Sequence, residues 1–114
     1  MDPRLEKVLE DVNHIHSINN QKRLLKEKYY EDRVIFSNGG KFTVTDSFIV
    51  FVKDAVSNGI THFIDDNDIP VEIEDTNAFY SKVIDTYKTA TTEYYEKYNS
   101  LVEKSRNIEA LLSI

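Results

Sequence analysis

The sequence contains no cysteine, and only 3 of its 114 residues are glycine and 2 are proline. The lack of cysteine excludes disulfides, thiolate metal sites and cysteine nucleophiles. The scarcity of glycine and proline permits long uninterrupted helices and strands. We therefore expect a fold of long elements without covalent cross-links.

Long apolar runs are also missing, since none approaches the roughly 18 residues of a membrane span. The N-terminal residues 1–4 lack the apolar core of a signal peptide. The formal net charge of −6 argues against broad binding to nucleic-acid phosphates. We predict a soluble, intracellular single domain over residues 1–114, with no membrane partner, no cofactor and no metal.

The last third of the chain, residues 75–112, carries a sustained heptad repeat. Apolar and aromatic residues recur every seven positions, at Tyr80, Tyr87, Tyr94, Leu101 and Ile108. Such a repeat predicts one long helix of the coiled-coil type. At 1.5 Å per residue this helix spans roughly 55 Å, which is too long for a small domain to cover by itself.

Tyrosine suits interfaces, because its ring is apolar and its hydroxyl needs a polar partner. The long helix is crowded with tyrosines. We therefore predict that it packs antiparallel to the N-terminal helix, against another copy of the chain, or both. The predicted interface of a dimer or higher oligomer comprises Tyr80, Ile84, Tyr87, Tyr94, Tyr98 and Leu101.

The first 31 residues also predict a long helix. Asp2 and Pro3 form a good helix start, as N-cap and first helical residue. Apolar residues then follow at steps of three and four, from Leu5 to Tyr29. The polar residues within 17–20 also permit a break in the middle of this helix, and both alternatives fit the sequence.

Between the two helices, residues 33–74 change to strand-like patterns. Asn38-Gly39 lies between two β-forming runs and predicts a tight hairpin. A second hairpin is predicted over 60–64 and 69–73, with Pro70 at a strand start or edge. Residues 48–52 fit either a strand or a helix, and the possible Thr45 cap and Gly59 stop favour the helix.

These elements predict an α+β fold in the order α-ββ-α-ββ-α. Long antiparallel helices at 1–31 and 75–112 flank a small body at 33–74. We expect the two hairpins to join in one sheet, because an isolated hairpin is marginally stable in water.

No motif of a known catalytic or nucleotide-binding class occurs in the sequence. His14 and His16 point about 200° apart on a helix and cannot chelate one ion together. The acidic loop at 65–68 lacks the glycine and the spacing of a calcium loop. A hydrated turn is the simpler interpretation, and Asp66→Ala is then expected to have little effect on stability. We predict a non-enzymatic protein.

Charge is unevenly distributed, with seven acidic and no basic residues between positions 54 and 81. Such a region could dock on a basic surface. The predicted acidic docking surface comprises Asp65, Asp66, Asp68, Glu72 and Glu74.

The stretch KFTVTDSFIVFV at 41–52, the stretch DDNDIPVEI at 65–73 and the tyrosine-rich helix resemble small uncharacterised proteins of marine tailed bacteriophages. The resemblance covers residues 33–105 and rests on patterning. It implies a phage structural, assembly or host-interaction protein, in the host cytoplasm or the virion, and implies no activity.

Three hypotheses follow. The first is a non-enzymatic interaction protein that homo-oligomerises through its helices and has a further protein partner. The second is an acidic regulator or decoy that binds a basic site on a host protein. The third is a small metal-binding module or enzyme that uses His62 with Asp65, Asp66 or Asp68.

Overall fold

A computed structural model of the protein describes residues 2–112, so residues 1, 113 and 114 of the predicted domain lie outside the described range. The observed order of elements confirms the predicted α+β fold. The elements are α1 (Pro3–Asp32), β1 (Val34–Ser37), β2 (Gly40–Thr43), α2 (Asp46–Asn58), β3 (His62–Ile64), β4 (Pro70–Glu72) and α3 (Thr76–Leu112).

The chain divides into two compact units. The helical unit contains residues 2–28 and 92–112, and the α/β unit contains residues 29–91. The α/β unit therefore extends beyond the predicted body at 33–74 and includes the first half of α3. The reason is that the hydrophobic core of this unit includes apolar side chains from the first half of α3.

Local sequence signals set the ends of the helices. The Asp2 carboxylate accepts the backbone N–H of Arg4, and the Asp75 carboxylate accepts that of Ala78. The Thr45 hydroxyl accepts the N–H of Phe48, and α2 ends at Gly59 in the left-handed conformation. Residues 48–52 are thus helical, and α1 runs without a break through 17–20.

In the helical unit, α1 and α3 run antiparallel. Lys22 lies over the Tyr98 ring, whereas Lys28 pairs with Glu93, so rising numbers on α1 meet falling numbers on α3. The α1 residues that are buried or half-buried in this unit recur at steps of four and three: Asp11, Ile15, Ile18, Lys22 and Leu25. This row is the face of α1 that packs on α3.

In the α/β unit, each hairpin forms its own two-stranded antiparallel sheet. The predicted turn at Asn38-Gly39 is confirmed, with φ of 52° and 83° at its two central residues. Pro70 begins β4, as predicted. The predicted single sheet is wrong, because the outer edge of β2 is occupied by the loop that follows β3 rather than by a strand.

The core of the α/β unit lies among the two hairpins, α2 and α3. The Phe79 ring of α3 contacts the rings of Phe42 and Phe63 edge to face, with centroids 5.4 and 5.5 Å apart. Its buried side chains are Ile35, Phe42, Val44, Val52, Ala55, Phe63, Val71, Ile73, Phe79 and Val83. A Cβ at Gly40 would lie 2.7 Å from Val71 Cγ2, so glycine is needed where the hairpins touch.

Candidate functional site

Half of the predicted oligomer interface packs inside the α/β unit. Tyr80 and Tyr87 lie against its hydrophobic core. Ile84, between them on α3, is half-buried. The first half of the heptad row is therefore covered by the chain itself.

The other half of the predicted interface lies in the helical unit. Leu101 is only 5% exposed, and Tyr94 packs edge to face on Tyr98 with ring centroids 5.9 Å apart. Tyr98 is 38% exposed, and the Lys22 ammonium lies 5.4 Å from its ring centre. This half of the row also serves the contact between α1 and α3.

An ion-pair cluster adds to the contact within the helical unit. Glu93 Oε1 accepts hydrogen bonds from Lys97 at 2.6 Å and from Lys28 at 3.0 Å. These bonds, that from Lys97 first, hold the pKa of the Glu93 carboxyl below its usual value. All three side chains are partly exposed to water. We therefore expect the cluster to fix the register of α1 against α3 more than it stabilises the fold.

Arg33 joins several elements of the α/β unit. Its Nε donates to the Val44 carbonyl oxygen at 2.7 Å, and its guanidinium lies over the rings of Tyr29 and Tyr87, 4.9 and 5.6 Å from their centroids. The side chain is 13% exposed. The contacts with Val44 and Tyr87 leave no local signal in the sequence, because these partners are distant in the chain.

Asp65 is buried, with 6% of its surface exposed. Its carboxylate accepts backbone N–H groups from Lys41, Asn67 and Ile69 at 2.8–3.0 Å. These bonds, that from Lys41 first, outweigh burial and lower the pKa of the carboxyl. The interpretation of 65–68 as a hydrated turn is therefore wrong at this residue.

Asp66 continues the same contact along β2. Its N–H donates to the Lys41 carbonyl oxygen at 2.8 Å, and its carboxylate accepts the Thr43 N–H at 3.2 Å and the Thr43 hydroxyl at 2.5 Å. The two aspartates thus satisfy the backbone groups that a third strand would otherwise pair with. These bonds lead us to expect a stabilising role for Asp66, in place of the small effect that a hydrated turn implies.

The remaining acids of the predicted docking surface are exposed. Asp68, Glu72 and Glu74 are all accessible to water. Glu72, Glu74 and Asp75 line a surface depression of about 440 Å³, which also contains Lys82. The Lys82 ammonium donates to the Phe36 carbonyl oxygen at 3.1 Å.

The histidines lie apart from one another in the described structure. His14 Nε2 is 3.9 Å from a Glu10 oxygen on the same helix, and His62 Nδ1 is 3.3 Å from the Thr61 hydroxyl. Between residues 2 and 112, no group of three or more metal-ligating side chains comes together. Among the helices of the same range, none is both long and apolar enough to cross a bilayer.

The large apolar side chains that remain exposed form a distinct feature of α1. Leu5, Val8, Leu9 and Val12 are each between 41% and 51% exposed, within three turns of the helix. Sequence reasoning assigned them to the row that faces α3. The helical angles distinguish Leu5, Leu9 and Val12, because they project about 120° away from the row at 11, 15 and 18, whereas Val8 lies on the side of that row.

A shallow apolar groove lies on another side of the helical unit. It encloses about 380 Å³ between α1 and α3. Leu24, at its margin, is 48% exposed. The groove is lined by Gln21, Leu24, Leu25, Lys28, Lys97, Ser100 and Leu101.

No protein-family model matches the chain, and no curated protein or solved structure matches it significantly.

Proposed function

We propose that the protein is a non-enzymatic interaction protein that self-associates through its helical unit and uses its α/β unit to dock on another protein. The observation that carries the proposal is the exposed apolar face on the first turns of α1. Leu5, Val8, Leu9 and Val12 keep 41–51% of their surface in water. Four such side chains so close together are typical of a binding surface rather than of scattered exposure.

The expected strength of this association follows from the area involved. Full burial of a leucine or valine side chain contributes about 1.5–3 kcal/mol, so burying the exposed half contributes about 1 kcal/mol. Four side chains on each of two copies then contribute about 8 kcal/mol. The cost of association is of the same size, about 4–15 kcal/mol. We therefore expect weak, concentration-dependent self-association.

The ionisable side chains with the most contacts support a structural rather than a catalytic role. The Asp65 carboxylate holds three backbone N–H groups, and the Arg33 guanidinium holds a carbonyl oxygen and two rings. Glu93 is held by two lysines. These groups are engaged by the fold, and the resemblance to phage proteins fits a structural, assembly or accessory role.

A second candidate function is an acidic regulator that binds a basic protein. It is favoured by the exposure of Glu72, Glu74 and Asp75 around one depression. Binding of this kind weakens steeply as salt is added, because exposed charges are screened. A basic partner that binds equally well in low and high salt would argue against it.

The first test is the solution mass, measured by light scattering after size exclusion across protein and salt concentrations. Self-association through an apolar face predicts a mass that rises from monomer towards dimer with concentration and changes little with salt. A monomer at all concentrations up to the millimolar range would contradict self-association. A dimer that dissociates in high salt would favour the charged surfaces instead.

A further inference from the structure

The helix α1 has two separate apolar rows in the helical unit. The first row, Asp11 to Leu25, is covered by α3. The second row contains Leu5, Leu9 and Val12, which are 49%, 44% and 41% exposed. At 3.6 residues per turn the second row is rotated by about 120° from the first. It is therefore a face separate from the row that packs on α3.

The second row has the spacing of a coiled-coil seam. Steps of three and four connect Asp2, Leu5, Leu9, Val12 and His16. The row has an apolar centre, with an acid at one end and a histidine at the other. Asp2 and His16 are both exposed.

The polar residues at the two ends select an orientation for self-pairing. In a parallel pair, Asp2 would face Asp2 of the other copy, and His16 would face His16. In an antiparallel pair centred at Leu9, Asp2 faces His16, and Leu5 faces Val12. At both ends an Asp2 carboxylate then meets an imidazole, which can donate a hydrogen bond to it, and the apolar residues meet in the middle.

The residues beside the row fit the same arrangement. Glu6 and Asn13 flank it on one side, and Val8 and Ile15 flank it on the other. Antiparallel pairing sets Glu6 opposite the uncharged Asn13 amide of the other copy. On the opposite flank it brings together the two Val8 side chains, each 51% exposed.

We propose that the occupant of this face is a second copy of the chain, paired antiparallel through Asp2, Leu5, Leu9, Val12 and His16 about a two-fold axis at Leu9. The inference rests on the proposed self-association and specifies its interface. It excludes the groove beside Leu24 as the primary site of self-association.

The first experiment compares two matched substitutions on α1, each of which exchanges an exposed leucine for a good helix former. Leu9→Gln should weaken the dimer about tenfold or more, since it removes the central contact from both copies. Leu24→Gln, 48% exposed on another face, should leave the dimer unchanged. Mass by light scattering gives the result, and circular dichroism verifies that both variants keep their helices.

The outcomes separate the inference from the proposed function. If Leu24→Gln dissociates the dimer and Leu9→Gln does not, the interface lies at the groove and only the inference fails. If the wild-type chain is monomeric at every concentration, both fail. If Leu9→Gln dissociates the dimer and Leu24→Gln does not, the inference and the proposed function are both supported.

The second experiment tests the orientation and uses the absence of cysteine from the chain. Antiparallel pairing predicts that a mixture of Leu5→Cys and Val12→Cys chains forms a disulfide-linked heterodimer under mild oxidation. Neither variant should cross-link efficiently by itself, because residues 5 and 12 are about 10 Å apart along a helix. Efficient cross-linking of each variant by itself would indicate a parallel pair and overturn the proposal.

The third experiment tests the contact between Asp2 and His16 at the ends of the row. His16→Glu would face Asp2 of the other copy and should weaken the dimer several-fold. Asp2→Asn keeps the helix cap and removes the charge, so adding it to His16→Glu should restore part of the affinity. Purely additive effects of the two substitutions would contradict the pairing of Asp2 with His16.

Discussion

At the scale of single residues, Asp65 shows how a side chain from a loop can act as part of a sheet. Its carboxylate takes the place of backbone acceptors for Lys41, Asn67 and Ile69. An acid does this better than a neutral side chain, because a charged acceptor strengthens each hydrogen bond. The lowered pKa of Asp65 is the measurable consequence.

The pH dependence of stability tests this role of Asp65. Its folded pKa lies below the ordinary value of 3.8. The carboxylate therefore stabilises the fold fully above that value, and this contribution is lost as the pH falls through the folded pKa. Asp65→Asn should lower the free energy of unfolding at neutral pH, because its amide N–H₂ would face a backbone donor. The difference from wild type should shrink as the pH falls below 3.8 and through the lowered folded pKa.

Urea unfolding at several pH values checks this prediction. Glu74→Gln is a matched control, since Glu74 is exposed and the substitution removes the same charge. The control should follow the wild type at every pH. A deficit of Asp65→Asn that stays constant from neutral to acid pH would show that the charge of Asp65 has no part in it.

At the scale of elements, the two hairpins remain separate sheets because the edge of β2 is already occupied. The groups of Lys41 and Thr43 that face away from β1 bond to Asp65 and Asp66. Polar side chains at a sheet edge are a common protection against pairing with another chain. The loop after β3 thus acts as a cover for β2.

Asp66→Ala should therefore lower the free energy of unfolding by about 1–3 kcal/mol, because the Thr43 N–H and hydroxyl lose a charged acceptor. Thr43→Val removes the hydroxyl bond from the other side. In a double-mutant cycle the two substitutions should be less than additive. Glu74→Ala serves as the control for loss of an exposed acid nearby. Equal stability of Asp66→Ala and wild type would show that these bonds exchange freely with water.

At the scale of the whole molecule, the buried apolar side chains are concentrated in one unit. Ten of them form the core of the α/β unit. In the described part of the helical unit, only Ile18 and Leu101 are buried. Local stability follows buried apolar contact, so the two units should differ in how easily they open.

Amide hydrogen exchange of the dilute monomer tests this difference. The amides of β2, α2 and residues 79–90 of α3 should exchange slowest, close to the rate set by global unfolding. The first four turns of α1 should exchange fastest among the helices, since their apolar side chains are exposed. At high concentration, self-association should slow exchange in those turns alone. Uniform protection along α1 in the dilute protein would contradict the prediction.

Local signals explain which parts of this architecture were predictable. Thr45 caps α2, Gly59 ends it, and Asn38-Gly39 turns the first hairpin, each through contacts within a few residues. The contact of Asp65 with Lys41 and those of Arg33 with Val44 and Tyr87 gave no such signal, since these partners are not neighbours in sequence. The exposed row of α1 was predictable in part. Its residues follow from the spacing of apolar positions, but its exposure depends on which row α3 covers.

The sequence by itself therefore determined the class of the fold, the order of its elements and the ends of its helices. Periodicity and capping are local properties, and they act before any tertiary contact exists. Only the tertiary structure decided that the two hairpins stay apart, that Tyr80, Tyr87 and Tyr94 of α3 are partly covered within the chain, and that Leu5, Leu9 and Val12 remain exposed. Those outcomes depend on which of several apolar or polar groups covers a given surface in the folded chain. The spacing of residues along a helix does not determine which group that is.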